Sequence, residues 1–209
     1  MKGKFITVEG IEGAGKSSNL PFIQHYLEAA GKPLTVTREP GGTHLGEGIR
    51  RLLLEGHDEG MMPATELLLM FAARAEHLQR IIRPALNDGR WILCDRFTDA
   101  TYAYQGGGRG IPRHYIAELE AFVQGSIRPD LTLLFDVPVD IGLARARNRS
   151  DPDRFEQQAV DFFERVREAY LQLAHEQPDR YRIIDARKNL EGVRAQLTTE
   201  LDRFIGDHP

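Results

Sequence analysis

The sequence predicts an α/β domain of the three-layer kind. A five-stranded, mostly parallel sheet is flanked by helices on both faces, and a small lid is expected near residues 146–157, within one domain over 1–209. Three observations predict this. Short apolar runs alternate with longer stretches whose apolar residues recur at helical spacing. Runs apolar throughout suit strands buried on both faces, and parallel strands need helical crossovers between them. The polar motifs fall just after strands, where ligands sit in open parallel sheets.

The elements follow in order. "KFITVE" reads as the first strand, and a Gly-rich loop leads into a helix from about Lys16 to Ala30, stopped by Gly31. "PLTVTR" is the second strand, and "LGEGIRRLLLEG" a helix ending near Gly56. A long apolar-periodic helix starts after Pro63 and stops at Gly89. "WILCD", "DLTLLFDV" and "RYRIID" supply the third, fourth and fifth strands. Further helices are expected at about Pro112–Gln124, Asp140–Arg147, Phe155–Glu176 and Leu190–Ile205.

Composition narrows the class. A chain of 209 residues that is 41% apolar and 28% charged can bury a substantial core without disulfides. The net charge of −4 gives no reason to expect nucleic acid or an anionic membrane as a partner. No apolar run approaches a membrane span, and "MKGKFITVEG" lacks the apolar core of a signal peptide. The single cysteine, Cys94, forms no internal disulfide, is expected to be a buried thiol and suits a reducing cytosol.

"GIEGAGKS" matches G-x-x-x-x-G-K-[ST] between a strand and a helix. In such a P-loop, glycines let backbone N–H groups converge on phosphate oxygens, and the helix adds its positive end. Gly10, Ile11, Glu12, Gly13, Ala14, Gly15, Lys16, Ser17 and Ser18 are therefore the candidate residues for binding a nucleoside triphosphate. Lys16 would reach the β- and γ-phosphates and the Ser17 hydroxyl would ligate Mg²⁺. Next comes "TREPGGT", one strand over, where Arg38 could meet a second phosphate. In "CDRFTDATYAYQGGGR", Asp95 ends a strand as a Mg²⁺-organising Asp does, with Arg96 beside it; the pair reads equally well as a salt bridge. If the following residues are helical, Thr101, Tyr104 and Gln105 share a face that could read a base and sugar. "LARARNRSDPDRFEQQ" carries Arg145, Arg147, Arg149 and Arg154 and reads as a basic turn or as a lid closing over transferring phosphates.

Together the P-loop, "TREPGG", "AYQGGGR" and "DRFEQ" resemble, in order and spacing, the bacterial thymidylate kinases of the nucleoside-monophosphate kinase fold. The resemblance covers nearly the whole chain. It implies Mg²⁺-dependent transfer of the ATP γ-phosphoryl to dTMP, giving dTDP, in a cytosolic homodimer joined by helices near the dTMP site. It implies a branch with Glu12 rather than a catalytic arginine in the P-loop, the basic residues Arg149 and Arg154 lying in the lid. Arg154 is then the candidate for stabilising the transferring γ-phosphoryl, with Lys16, Arg96 and Glu12 as the other catalytic candidates. On the dTMP side it implies Arg38, Pro40, Arg50 and Arg96 around the phosphate. Arg74, Thr101 and Gln105 would read thymine, and Tyr104 would lie against the deoxyribose. The base-stacking place falls on Met70 by strict spacing, or on Phe71 one position later. Two other readings stay open: a P-loop kinase with another nucleotide or nucleoside acceptor, or a regulatory P-loop NTPase, for which "LTLLFD" ending at Asp136 resembles a Walker-B strand.

Overall fold

The computed structural model describes residues 3–55, 60–147, 154–155 and 158–208. Five strands form one sheet: β1 (Phe5–Glu9), β2 (Leu34–Arg38), β3 (Trp91–Asp95), β4 (Leu131–Asp136) and β5 (Tyr181–Asp185). Their order is β2-β3-β1-β4-β5. Every pair is parallel, so the sheet is wholly rather than mostly parallel. The central strand β1 is buried along its whole length, whereas the edge strands β2 and β5 are partly exposed. The edge strands accordingly carry arginines, Arg38 and Arg182, which the inner strands lack.

Helices cover both faces. Ile6, Val8 and Leu93 pack with Ile23 and Leu27 of α1 (Lys16–Ala29) and with Leu197 and Leu201 of α9 (Leu190–Gly206). Phe5, Ile92 and Cys94 face the other side, against Leu78, Ile82 and Leu86. Burial pushes the Cys94 thiol well up, as suits an inert core cysteine.

The helix after β2, α2 (His44–Leu54), is capped by Thr43, whose hydroxyl accepts from the Gly46 amide at 3.0 Å. The long helix expected from Pro63 consists of α3 (Pro63–His77), a π-helical stretch at Leu78–Ile82 and α4 (Arg83–Asn87). The widened stretch lies just before Pro84, whose ring disrupts a regular α turn. After β3, α5 (Thr98–Thr101) passes into a second π-helical segment, Tyr102–Gly108.

The remaining helices are α6 (Arg113–Gln124), α7 (Val139–Arg147) and α8 (Val160–Glu176). The sequence predicts a start at Phe155 for the last of these. The structure places Phe155 in a turn instead, its ring 5.9 Å from that of Tyr104. Most of the expected lid lies outside the described residues.

Candidate active site

The site is built where β1, β2 and β3 end together, with Arg38 and Val8 both in register with Asp95. The Gly-rich loop leaves β1 and enters α1 at Lys16. Gly13 has a φ of 70°, and a Cβ there would lie 1.8 Å from the Gly142 carbonyl oxygen. Only glycine fits that approach. Ile11 and Ala14 bury their side chains in the core, so what they offer a phosphate is backbone. Ser17 and Ser18 are exposed in the first turn of α1. Lys16 Nζ donates to the carbonyls of Gly10 at 2.9 Å and Ile11 at 3.1 Å.

One cavity joins this loop to the neighbouring strand ends. Its walls include Glu12, Lys16, Ser17, Arg50, Arg74 and Asp95. Pro40, Met70, Arg96, Thr101, Tyr104 and Gln105 line it as well. Arg96 adopts a left-handed φ of 66°, a strained conformation for a side-chain-bearing residue. Four contacts hold it there. Nη1 donates to Gly10 O at 2.9 Å and the Tyr170 hydroxyl at 3.2 Å; Nη2 donates to Glu12 Oε1 at 2.5 Å and the Tyr104 hydroxyl at 3.1 Å. Burial alone would raise the Glu12 carboxyl, but the Arg96 and Lys16 charges and the Tyr104 hydroxyl outweigh it and hold it below its ordinary value. Lys16 is lowered, by burial first and by the Arg96 charge second.

Arg74 is buried beneath the other wall. Its Nε donates to Glu39 Oε2 at 2.8 Å and Nη2 to Thr101 Oγ1 at 2.9 Å. His77 Nδ1 lies 2.9 Å from Glu39 Oε1, so Glu39 fixes the guanidinium from behind. Its guanidinium carbon lies over the rings of Phe71, at 4.7 Å from the centroid, and Phe97, at 5.3 Å. Nη1 of Arg74 is buried and has no protein partner. Met70 lines the cavity, whereas Phe71 is core beside Leu67 and Ile116. Of the two candidates for stacking, the structure puts Met70 at the wall.

The thymidylate kinase family profile matches residues 8–197. A thymidylate kinase of Ectopseudomonas mendocina (strain ymp) is 59% identical over 205 residues, 98% of each chain. Another, from Pseudomonas syringae pv. tomato, is 59% identical over the same share. The solved thymidylate kinase of Ehrlichia chaffeensis superposes with a TM-score of 0.77 at 32% identity, covering 96% of this chain and 99% of its own. The chain belongs to the thymidylate kinase family.

Two arginines expected at the phosphates of this thymidylate kinase fold, Arg38 and Arg154, are not on the cavity wall. Arg38 is half exposed and turns to Glu47 at 2.9 Å, because Glu47 in the first turn of α2 collects both it and the Gly42 amide. Arg50, whose Nη1 donates to Pro40 O at 3.0 Å, lines the cavity instead. Arg154 is engaged by Glu66 Oε2 at 2.6 Å and by Leu53 O at 2.9 Å. Arg149 lies outside the described residues.

Asp136, the Walker-B-like residue, is held by Arg167 through two bonds of 2.7 and 2.9 Å, so the feature that suggested a regulatory NTPase is occupied by an ion pair. Asp95 Oδ1, by contrast, is buried and unpartnered on the cavity wall. That orphaned oxygen and the exposed Ser17 hydroxyl fit a hard cation carried in by a triphosphate. Among the described residues no three acidic, His or Cys side chains gather to hold a metal by themselves.

The sequence reading missed Glu9, Glu39, Glu66, Tyr170 and Phe155. Glu66 carried a signal: it is the one charged residue in the apolar run "ELLLMFAA". Tyr170, a buried mid-helix residue of α8, carried none.

Proposed function

We propose that the protein transfers the γ-phosphoryl group of ATP to dTMP, giving dTDP. The observation that carries this reading is the single cavity lined both by Lys16 and Ser17 of the P-loop and by Arg74, Thr101 and Gln105. A phosphate donor and a base-bearing acceptor can meet there.

The acceptor is a phosphate monoester with a second pKa of about 6, so at neutral pH its attacking oxygen is already an anion. No general base is required. The difficulty is to bring two polyanions into line, and catalysis is then positioning and charge neutralisation. Lys16 and the loop amides take the ATP phosphates. Arg50 and Arg96 receive the dTMP phosphate, with Glu12 fixing Arg96. Arg74 offers its unpartnered Nη1 to a carbonyl of the base. Tyr104 packs under the sugar. Ser17 and Asp95 would hold Mg²⁺, which when bound supplies further neutralisation of the phosphate charge.

Arg154 remains the candidate for the transferring group. It must exchange Glu66 for phosphate to act so, and Arg109 stays to balance Glu66. Apolar side chains exposed on neighbouring helices, Leu68 on α3 and Tyr115 and Phe122 on α6, support a homodimer. A cytosolic setting agrees with the lone buried thiol. ADP release measured with and without dTMP tests the reading: release should depend on dTMP, and equal release without it would defeat the proposal.

A further inference from the structure

Glu66 lies in α3 with no solvent exposure, in a stretch otherwise apolar. Its carboxylate accepts from three side chains. Oε1 takes Gln105 Nε2 at 2.8 Å and Arg109 Nε at 3.2 Å; Oε2 takes Arg109 Nη2 at 3.1 Å and Arg154 Nη2 at 2.6 Å. Two guanidiniums balance the buried charge, which would otherwise be costly. A carboxylate paired in this way only accepts hydrogen bonds.

The consequence falls on Gln105, a cavity-lining side chain that is itself buried. An amide has one donating end and one accepting end, and shape alone barely distinguishes them. Glu66 distinguishes them: the NH₂ must face the carboxylate, so the carbonyl oxygen is the end left for the cavity. Arg74 presents the opposite character, a buried Nη1 donor without a partner. The wall therefore offers one acceptor and one donor. A 4-oxo pyrimidine offers the complement, an N3–H donor beside an O4 acceptor. A 4-amino pyrimidine offers an N3 acceptor beside an N4 donor and mismatches both.

We infer that Glu66 is a positioning residue for acceptor choice: it fixes the Gln105 amide with its carbonyl toward the base and so selects 4-oxo over 4-amino pyrimidine monophosphates. This rests on the reading of Arg74 and Gln105 as base-facing. Arg109 keeps the setting rigid, since its Nη1 is also tied to Gln158 Oε1 at 2.7 Å.

The test is the ratio of kcat/KM for dTMP to that for dCMP. Glu66→Gln keeps the shape but can donate, so the Gln105 amide is free to turn over. The ratio should fall about tenfold or more, through KM for dTMP more than through kcat. Glu66→Asp keeps the charge for the arginines but withdraws the carboxylate from Gln105, and should give a smaller fall in the same direction. A merely structural glutamate would lower Tm and leave the ratio alone. A folded Glu66→Gln or Glu66→Asp enzyme with a ratio within about twofold of wild type overturns the inference. Wild-type protein inert toward dTMP would overturn the functional reading beneath it, and that outcome is visible before any variant is made.

Discussion

Arg96 Nη2 donates to Glu12 Oε1 at 2.5 Å, so the end of β3 is bolted to the phosphate-binding loop after β1. This explains a carboxylate inside an anion-binding loop. Glu12 does not face the anions alone; it takes one arm of an arginine whose other arm holds the Gly10 carbonyl. Glu12→Gln keeps the size and removes the charge. The expected result is a fall in kcat/KM for dTMP of about tenfold, with KM for ATP changed much less. Steady-state kinetics with each substrate varied checks this, and unchanged dTMP turnover would remove Glu12 from the mechanism.

Arg154 is the residue whose place differs most from the sequence expectation. The sequence predicts a phosphate-facing arginine, and Arg154 lies on Glu66 with its backbone amide bonded to Leu54 O at 3.3 Å. If it exchanges that partner for the transferring group, Arg154→Ala should lower kcat by about tenfold or more. A kcat within threefold of wild type would make it a structural clasp only.

Glu9 carries a pH signature. Burial, then the Asp99 charge, pushes its carboxyl up to about 8, against the opposing pull of Arg96, Tyr170 and the Phe97 amide. The unfolded chain releases this proton near 4.5. Between those values the folded state holds one proton more than the unfolded state, so stability falls as pH rises through the window. The cost is on the order of a few kcal/mol once both pKa values are passed. Glu9→Gln can still accept from the Phe97 amide and meet the Tyr170 hydroxyl. Urea unfolding at pH 5.5 and 8.5 should show the variant gaining on wild type at the higher pH. Parallel pH dependence of the two proteins would count against it.

The glycines of "AYQGGGR" do a packing task. A Cβ on Gly108 would lie 2.4 Å from the Phe162 ring, and one on Gly107 would lie 2.8 Å from both Ala169 Cβ and Arg165 O. They let the π-helical segment that carries Tyr104 and Gln105 lie flat on α8. Gly108→Ala should cost about 1–3 kcal/mol by overpacking, read from the shift of the urea midpoint. A variant as stable as wild type would mean that Phe162 gives way freely.

What could be read in advance follows from physics that is local in sequence. Gly10, Gly15 and Lys16 announce a phosphate loop because one turn of chain makes it. "WILCD" announces a buried strand ending in a useful carboxylate for the same reason. The helix conditionally expected after Asp95 is one α turn continued by a π-helical segment, and Thr101, Tyr104 and Gln105 line one cavity. The parts not legible depend on which partner the packing brings to a side chain. Nothing near Arg38 says that Glu47 will take it, and nothing near Arg96 says that Tyr170 and Glu12 will hold it in a strained φ. Likewise Met70 and Phe71 lie at nearly equivalent spacing from Arg74. Only the packing of Phe71 against Leu67 and Ile116 decides which one reaches the cavity.

A coupled phosphotransfer assay across the nucleoside monophosphates, with thymidine included, tests the central claim most directly. The expected result is ATP-dependent phosphorylation with dTMP the best acceptor and dUMP next, and negligible ADP formation when no acceptor is present. Phosphorylation of thymidine with dTMP and dUMP inert would contradict it.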